Sequence, residues 1–310
     1  MSEATPDKKS KPAINIVWLK RDIRLADHEG FYLAEQAEQD YIPLYIFDPG
    51  ELAGPDSSLR HQQFVYHSLM DVNKQLEAVG REIMYCWGNT EKIFYFLSHI
   101  FSVYKVFSYQ ESGTIRTWKR DQRMATFFAG NGIDWKQCQR DGVIRGIDSR
   151  DGWNKAWLDC MNRPLFYPAY SAPSEYIHAF FKDISDRNPF PFPAELRAEL
   201  ERYPGIHQPV GESQSWKWLE SFMGTRGRNY QRHISKPLLS RESSSRISPY
   251  LAWGNMSIRQ VYGFVNNHSA KAEAPRAYAS FLTRLRWNAH FIQKFEMEPE
   301  YELQCVNRGY

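Results

Sequence analysis

A run of three serines followed by an arginine, Ser243 to Arg246, has the residue types that bind a pyrophosphate. Hydroxyl and guanidinium groups donate hydrogen bonds to anionic oxygens. Ser248-Pro249 just downstream is typical of a helix start, where backbone N–H groups are unpaired. Gly254-Asn255 indicates the end of that helix, and Ser257 is placed to cap the next one. The same residues fit helix capping without any ligand, and local chemistry does not separate the two interpretations.

A second segment whose side chains could bind a ligand runs from Tyr278 to Glu296 with helical periodicity. One set of its side chains predicts a face buried in a core: Phe281, Leu282, Leu285, Ile292 and Phe295. Another set combines aromatic surface with cation and amide groups: Arg284, Trp287, Asn288, His290 and Phe291. Such a face can stack an unpaired base or flank a flavin, although a single histidine more often has a structural role.

The third segment, LKRDIRLADH, concentrates charged side chains between Lys20 and His28, directly after an apolar run. One interpretation is a solvated loop in which Asp27 caps the following helix, and the spacing alone favours it. The other is an electrostatically organised loop at a domain interface or a ligand site. The fingerprints G-x-G-x-x-G after the first strand and G-x-x-x-x-G-K-[ST] are absent from the sequence, which argues against dehydrogenase-type and P-loop nucleotide sites.

The first ~145 residues contain the elements that would position these segments, because short apolar runs alternate there with helical patterns. Strands are predicted at 14–19, 41–47, 82–87, 103–109 and 133–137, and helices from about 27, over 59–79, from about 90 and over 116–129. This alternation predicts a doubly wound, mostly parallel five-stranded sheet of the Rossmann-like α/β class. Ligands of such sheets lie outside the carboxyl ends of the strands.

The remaining sequence divides by composition. Residues 1–12 are expected to form a disordered tail, and 13–141 the α/β domain. Residues 142–209, rich in proline, are expected to form a connector over the surface, and 210–310 an all-helical domain. The length of 310 residues agrees with two domains.

The distribution of charge and the spacing of the cysteines limit which functions the chain could have. The net charge is +3, but residues 216–310 hold ten arginines and four lysines against seven glutamates. This positive excess fits a polyanionic partner such as DNA. It also fits solvated helix faces without a partner, and charge alone favours this second interpretation. Four widely spaced cysteines predict neither a metal site nor a disulfide framework. Without a long apolar run or a signal peptide, we expect a cytoplasmic, non-secreted protein of bacterial type that avoids membranes.

Taken together, IVWLKRDIRLADH, SSSRISPYLAWGNMSIRQVY and FLTRLRWNAHFIQKFE resemble the cryptochrome/DNA photolyase family, from Ile14 to Tyr310. The resemblance implies an α/β domain that holds a folate or other antenna chromophore, and a helical domain that holds FAD. It implies a light-driven lyase: reduced FAD passes an electron to a pyrimidine dimer flipped out of damaged DNA, and the dimer splits. An intact member is expected to be a monomer.

The resemblance also assigns residues. It implies FAD phosphate, ribose and ring contacts at Tyr230, Ser244, Ser245, Arg246, Ile247, Ser248, Phe281 and Asn288. Trp287 takes the place of the tryptophan that stacks on the dimer, and Glu111 that of a folate contact. Arg284 stands where dimer-repairing members carry a glutamate, and Asn288 where they often carry an arginine. Because Arg284 cannot accept a hydrogen bond from a base, a cryptochrome-type photoreceptor without repair activity remains an alternative.

Family members continue well beyond the closing residues ELQCVNRGY, so the resemblance predicts a C-terminally truncated member. Residues 1–310 alone are then expected to hold FAD weakly or not at all. Helix faces such as Phe281, Leu285 and Phe295 would stay partly uncovered unless a partner protein covers them. A non-catalytic remnant, in which only the α/β domain folds stably, is the third alternative.

Overall fold

The computed structural model describes residues 11–186, 188–305, 307 and 309, and most of the expected tail lies outside this range. Its first half contains a parallel five-stranded sheet in the order β3-β2-β1-β4-β5. The strands are β1 (Ala13–Leu19), β2 (Tyr41–Phe47), β3 (Met84–Trp87), β4 (Ser102–Tyr109) and β5 (Asp134–Cys138). The predicted Rossmann-like α/β fold is therefore confirmed.

Helices connect the strands and cover both faces of the sheet. They are α1 (Glu29–Glu35), α2 (Pro49–Leu52), α3 (Leu59–Glu77), α4 (Thr90–Ile100) and α5 (Ile115–Gly130). Along β1, Ile14, Ile16 and Trp18 enter the core on one face, whereas Val17 and Leu19 enter the core on the other. This is why β1 is apolar apart from the buried Asn15: a strand buried on both faces has no polar side.

The proline-rich segment contains more helix than its sequence suggested. It forms α6 (Trp153–Met161), α7 (Glu175–Asp186) and α8 (Ala194–Glu201). Trp153, Trp157 and Met161 of α6 are buried in the core of the helical half, so this part of the segment does not simply cover the surface. Prolines flank these helices rather than interrupt them, which is compatible with helices of 8 to 12 residues.

After residue 209, the described part of the chain is helical. It contains α9 (Glu212–Gly224), α10 (Tyr230–His233), α11 (Pro237–Ser243), α12 (Ser248–Trp253), α13 (Ile258–Asn267), α14 (Ala270–Glu273) and α15 (Pro275–Met297). Short 3-10 helices cover Arg226–Asn229 and Pro299–Glu302. Along α15, Phe281 and Leu285 are buried, whereas Leu282, Ile292 and Phe295 are only partly so. No helix among the described residues has the length and apolarity needed to cross a membrane.

Candidate functional site

The charged loop after β1 joins the α/β half to the helical half. The Ile23 N–H donates to the Trp253 carbonyl at 3.2 Å, and the Asn255 amide donates back to the Ile23 carbonyl at 3.0 Å. The Leu25 N–H donates to the Glu212 carboxylate at 3.1 Å. Of the two interpretations of this loop, the structure therefore supports the interface and not the solvated loop.

Asp27 does not cap α1, contrary to the interpretation that spacing favoured. The cap is His28, whose Nδ1 accepts a hydrogen bond from the Phe31 N–H at 3.0 Å. His28 Nε2 then donates to the Asp22 carboxylate at 2.8 Å. Asp27 has a φ of 51°, and its carboxylate accepts from the Ser257 hydroxyl at 2.6 Å. A residue with positive φ cannot provide the extended backbone of a helix cap. The Asp27 carboxylate instead binds Ser257 of the helical half, across the interface.

The C-terminal end of α12 is held by the α/β half. Arg140 donates to the carbonyls of both Leu251 and Ala252 at 3.2 Å, and Arg24 donates to the Gly254 carbonyl at 3.2 Å. With the Trp253 carbonyl bound by the Ile23 amide, four successive carbonyls at this helix end have partners from the α/β half. The bond from Arg24 to the Gly254 carbonyl is buried, and an unpaired carbonyl there would cost about 1–3 kcal/mol, which makes this part of the interface specific.

Gly254 makes this close approach possible. Its φ is 77°, in the left-handed region, and it ends α12 as the sequence predicted. A Cβ added at Gly254 would lie 2.2 Å from the Arg21 carbonyl oxygen and 2.5 Å from the Asp22 Cα. Both the backbone conformation and the contact distance therefore require glycine.

A cavity of about 230 Å³ lies at the carboxyl ends of strands β1 to β4. Its walls come from the residues that follow each of these strands, from α3 and α5, and from the end of α12. The side chains that line it include Trp18, Lys20, Arg21, Asp48, Glu51, Leu52, His61, Glu111, Arg120 and Trp253. This is the edge at which open α/β sheets bind their ligands.

Glu111 is the centre of a buried ion-pair network beside the cavity. Arg120 donates to its carboxylate at 2.7 Å and Arg21 at 3.0 Å. Burial alone would raise the pKa of Glu111, but Arg120, Arg21 and Lys20 outweigh it and hold the pKa well below the usual range. Lys20 is in turn paired with Asp121 at 3.0 Å. Glu111 is therefore a firmly ionised acceptor.

Glu51 titrates in the opposite direction. Arg120 also contacts its carboxylate at 2.9 Å. Burial raises the pKa of Glu51 to about 7, and the negative charges of Glu111, Asp48 and Asp121 add to this, while Arg120 opposes it. Asp121 also contacts Arg120, at 2.7 Å. Three carboxylates, those of Glu51, Glu111 and Asp121, thus share the Arg120 guanidinium, and Glu51 is the one that gains a proton near neutral pH.

Aromatic rings complete the cavity. The Arg21 guanidinium lies 4.5 Å from the centre of the Trp253 ring, and Lys20 and Arg120 lie 4.6 and 4.9 Å from that of Trp18. The carboxylate oxygens of Glu111 keep lone pairs that can accept further N–H donors. The cavity therefore suits a planar ring with N–H groups. It suits an anionic ligand less, because each of its cations already has a carboxylate partner.

The serine–arginine loop, residues 244–247, connects α11 to α12. Ser245 and Ile247 are buried, Arg246 is exposed with a φ of 60°, and Ser244 is partly buried. Ser248 is the first residue of α12, so the helix start predicted at Ser248-Pro249 is confirmed, but no side chain caps this helix with a hydrogen bond. Ser257 does cap α13, through a capping box with Gln260.

Two guanidinium groups meet beside this loop. Arg226 donates to the Ser244 carbonyl and, at 2.9 Å, to the Trp218 carbonyl. The guanidinium carbons of Arg226 and Arg246 lie 5.1 and 5.7 Å from the centre of the Trp218 ring. Partial burial lowers the pKa of Arg226, and the charge of Arg246 lowers it further. Within the described residues neither arginine pairs with a carboxylate, so this place has an uncompensated positive charge.

Tyr230 and Phe281, both predicted flavin contacts, do lie together. Their ring centres are 5.7 Å apart, and Phe222 lies 5.5 and 4.7 Å from the two rings. Tyr230 is only 8% exposed and Phe281 only 3%. In this arrangement both side chains are parts of the helical core.

The face of α15 that carries Arg284, Trp287, Asn288 and Phe291 is exposed. Trp287 is 45% exposed, which excludes a purely core role, and the Arg284 guanidinium lies 4.4 Å from its ring centre. Within the described residues, no hydrogen bond or ion pair engages that guanidinium. His290 instead accepts a hydrogen bond from Arg150 at 2.6 Å.

The predicted site residues thus fall into four places: Glu111 at the cavity, the serines and Arg246 beside α12, Tyr230 and Phe281 in the helical core, and Arg284, Trp287 and Asn288 on the exposed face of α15. Sequence analysis missed Glu51, Arg120 and Trp253 at the cavity, and Arg226 at the loop. One signal was available for Glu51. The segment Asp48 to Glu51, which caps and begins α2, directly follows β2, just as the charged loop follows β1.

Comparison with known proteins identifies the family. Residues 15–149 match the family model described as DNA photolyase. A cryptochrome DASH from Synechocystis is 22% identical over 97% of this chain and 63% of its own length. A deoxyribodipyrimidine photo-lyase from Alkalihalophilus pseudofirmus is 21% identical over 96% of this chain and 62% of its own length.

Residues 15–149 therefore form a domain of the DNA photolyase family. The chain spans less than two thirds of the length of these photolyase and cryptochrome relatives.

Solved structures of the family share the fold. A Synechocystis cryptochrome has a TM-score of 0.72 at 18% identity, over 96% of this chain and 64% of its own. A class III photolyase from Agrobacterium tumefaciens has a TM-score of 0.70 at 17% identity, over 99% of this chain and 63% of its own. An archaeal photolyase from Sulfolobus tokodaii, with two FAD molecules, has a TM-score of 0.67 at 20% identity, over 96% and 63%.

Proposed function

We propose that this protein is a photolyase-like FAD flavoprotein that binds pyrimidine dimers in damaged DNA and splits them in light. In this proposal residues 13–141 form the antenna domain, 142–209 the connector, and 210–310 the first part of the FAD-binding domain. The observation that carries it is the half-exposed Trp287 on a basic helical half, because an exposed tryptophan ring offers a stacking surface to an unpaired base.

The residues beside the serine–arginine loop fit the phosphates of FAD. Arg226 and Arg246 bring two positive charges together without a carboxylate partner in the described part of the chain, and their repulsion is relieved by an anion. When bound, reduced FAD supplies the electron that light transfers to the dimer. The task of these residues is to bind and orient the cofactor. Ser244, Ser245 and Ser248 add hydroxyl donors beside Arg246.

The substrate is bound by the exposed face of α15. The Trp287 ring stacks on a base flipped out of the duplex, and basic residues of the helical half attract the DNA backbone. Arg284 lies against one part of the tryptophan ring and donates hydrogen bonds to acceptor oxygens of the lesion. An arginine cannot serve as an acceptor for base N–H groups, which changes the lesion contact relative to a glutamate.

The cavity at the sheet edge holds the antenna chromophore in this proposal. Its cations are paired with carboxylates, so it favours the uncharged ring of a folate-type antenna over a ligand with phosphate groups. Glu111 accepts hydrogen bonds from N–H groups of that ring. Absorbance titration with a reduced folate and with FMN tests this assignment: folate should bind more tightly, and Glu111→Gln should weaken it.

Trp287→Ala tests the substrate site. Loss of one base–aromatic stack is worth about 1–3 kcal/mol, so preference for dimer-containing over intact oligonucleotides should fall about 5- to 150-fold in an anisotropy titration. Tyr95→Ala is the matched control, since Tyr95 is an exposed aromatic residue on α4 in the other half. An unchanged preference in Trp287→Ala would overturn the assignment of the stacking residue.

A second candidate is a cryptochrome-type photoreceptor, which Arg284 favours because the carboxylate acceptor for a dimer is absent from this position. Illumination of the flavin-loaded protein with dimer-containing DNA separates the two functions. Loss of dimers supports the photolyase. Preferential binding without loss of dimers supports the photoreceptor.

A further inference from the structure

Helix α12 lies between two of the places described above. The serine–arginine loop leads into its first residue, Ser248, and Trp253 at its last turn forms a wall of the cavity. A helix of six residues is only about 9 Å long. The two places are therefore connected by one short rigid element.

Trp253 belongs to both halves of the protein. Its ring packs against the core of the helical half and also against the core on one face of the sheet. From the α/β half, Arg21 lies 4.5 Å from its ring centre and His61 6.4 Å. Arg21 also binds Glu111 at 3.0 Å, so Trp253 is linked to the carboxylate network of the cavity.

The rest of α12 is fixed to the α/β half by the same interface. Its last carbonyls accept hydrogen bonds from Arg140, the Ile23 amide and Arg24. Near its middle, the Tyr250 ring lies 5.7 Å from that of Phe64 on α3. Movement of α12 away from the sheet would break all these contacts at once, so docked and undocked arrangements are discrete.

We infer that both halves of the protein form the cavity, and that a ligand bound there holds α12 against the α/β half. Through α12, ligand binding in the cavity is coupled to the serine–arginine loop. The inference rests on the proposed antenna function of the cavity. A ligand ring packed against Trp253 binds the docked arrangement of α12 more tightly than the undocked one. The ligand therefore shifts the population toward the docked arrangement by this difference in binding free energy. Since docking also fixes the residues that precede Ser248, binding at the loop and in the cavity reinforce one another.

Hydrogen exchange with folinic acid, a stable reduced folate, tests this inference. In the full chain, the probe should slow exchange of the amides of residues 244–254 by about 5-fold or more. Trp253→Ala should abolish this protection even where the probe saturates the cavity. Leu52→Ala is the matched control: Leu52 lines the cavity from the α/β half alone, so it should weaken probe binding and keep the protection of α12 at saturation.

The outcomes are distinguishable. If folinic acid binds and protects only residues of the α/β half, the coupling is wrong and the antenna site stands. If it protects 244–254 equally in wild type and Trp253→Ala, Trp253 is not the connection and the inference fails. If it does not bind at all, the folate assignment of the cavity is wrong and the coupling falls with it.

Discussion

Replacing Gly254 by alanine tests the interface on which both proposals depend. The alanine must adopt a φ near 77°, which costs about 1–2 kcal/mol for a residue with a Cβ. Its Cβ would also lie 2.2 Å from the Arg21 carbonyl oxygen, and real Cβ atoms do not approach so closely. The loop after β1 must therefore move away from α12.

This movement weakens buried hydrogen bonds. The bonds nearest to the clash are Arg24 to the Gly254 carbonyl and the Ile23 amide to the Trp253 carbonyl. Each contributes about 0.5–1.5 kcal/mol, so loss of both brings the expected total to about 2–5 kcal/mol. Urea denaturation of wild type and variant measures this difference in the free energy of unfolding.

Two other glycines separate the causes. Gly146 has a φ of 73° and no atom within 4 Å of an added Cβ, so Gly146→Ala measures the cost of the backbone conformation alone. Gly263 lies inside α13 with open space and no positive φ, so Gly263→Ala should stabilise the chain by up to ~1 kcal/mol. If Gly254→Ala destabilises the chain no more than Gly146→Ala does, the interface is not closely packed and our account of α12 is refuted.

Three further predictions concern charge. Because burial raises the pKa of Glu51 to about 7, Glu51 contributes stability that is lost as pH rises from 4.5 through 7. In urea denaturation, Glu51→Gln should therefore gain free energy of unfolding relative to wild type between pH 5 and pH 8, whereas Glu111→Gln, whose carboxyl has a lowered pKa, should be destabilised at both pH values. Burial lowers the pKa of His28, so His28 contributes stability that is lost as pH drops below 6.5. The difference between His28→Gln and wild type should shrink below pH 6.5, and a constant difference would contradict a neutral buried histidine. DNA affinity should drop steeply between ~50 and 200 mM salt if the basic helical half contacts phosphates, and a flat response in anisotropy titrations would argue against DNA as partner.

The amino-acid sequence by itself determined most of the secondary structure of the α/β half. Apolar runs and helical periodicity are local patterns, because burial of a strand or of a helix face selects residues at short, fixed spacing. Caps are equally local, so Ser257 and Gly254 were predictable from their neighbours. Strand β3 was predicted to start at Glu82 and starts at Met84, since the end of a strand depends on its pairing partner.

Only the tertiary structure decided which side chains share a site. Glu51, Glu111 and Arg120 follow or lie on three different elements, and they meet because parallel strands bring their carboxyl ends to one edge. Asp27 has the sequence features of a helix cap, yet its carboxylate binds Ser257, 230 residues away. Long-range contacts of this kind leave no periodic signal, because their geometry depends on how two complete halves pack rather than on the spacing of neighbouring residues.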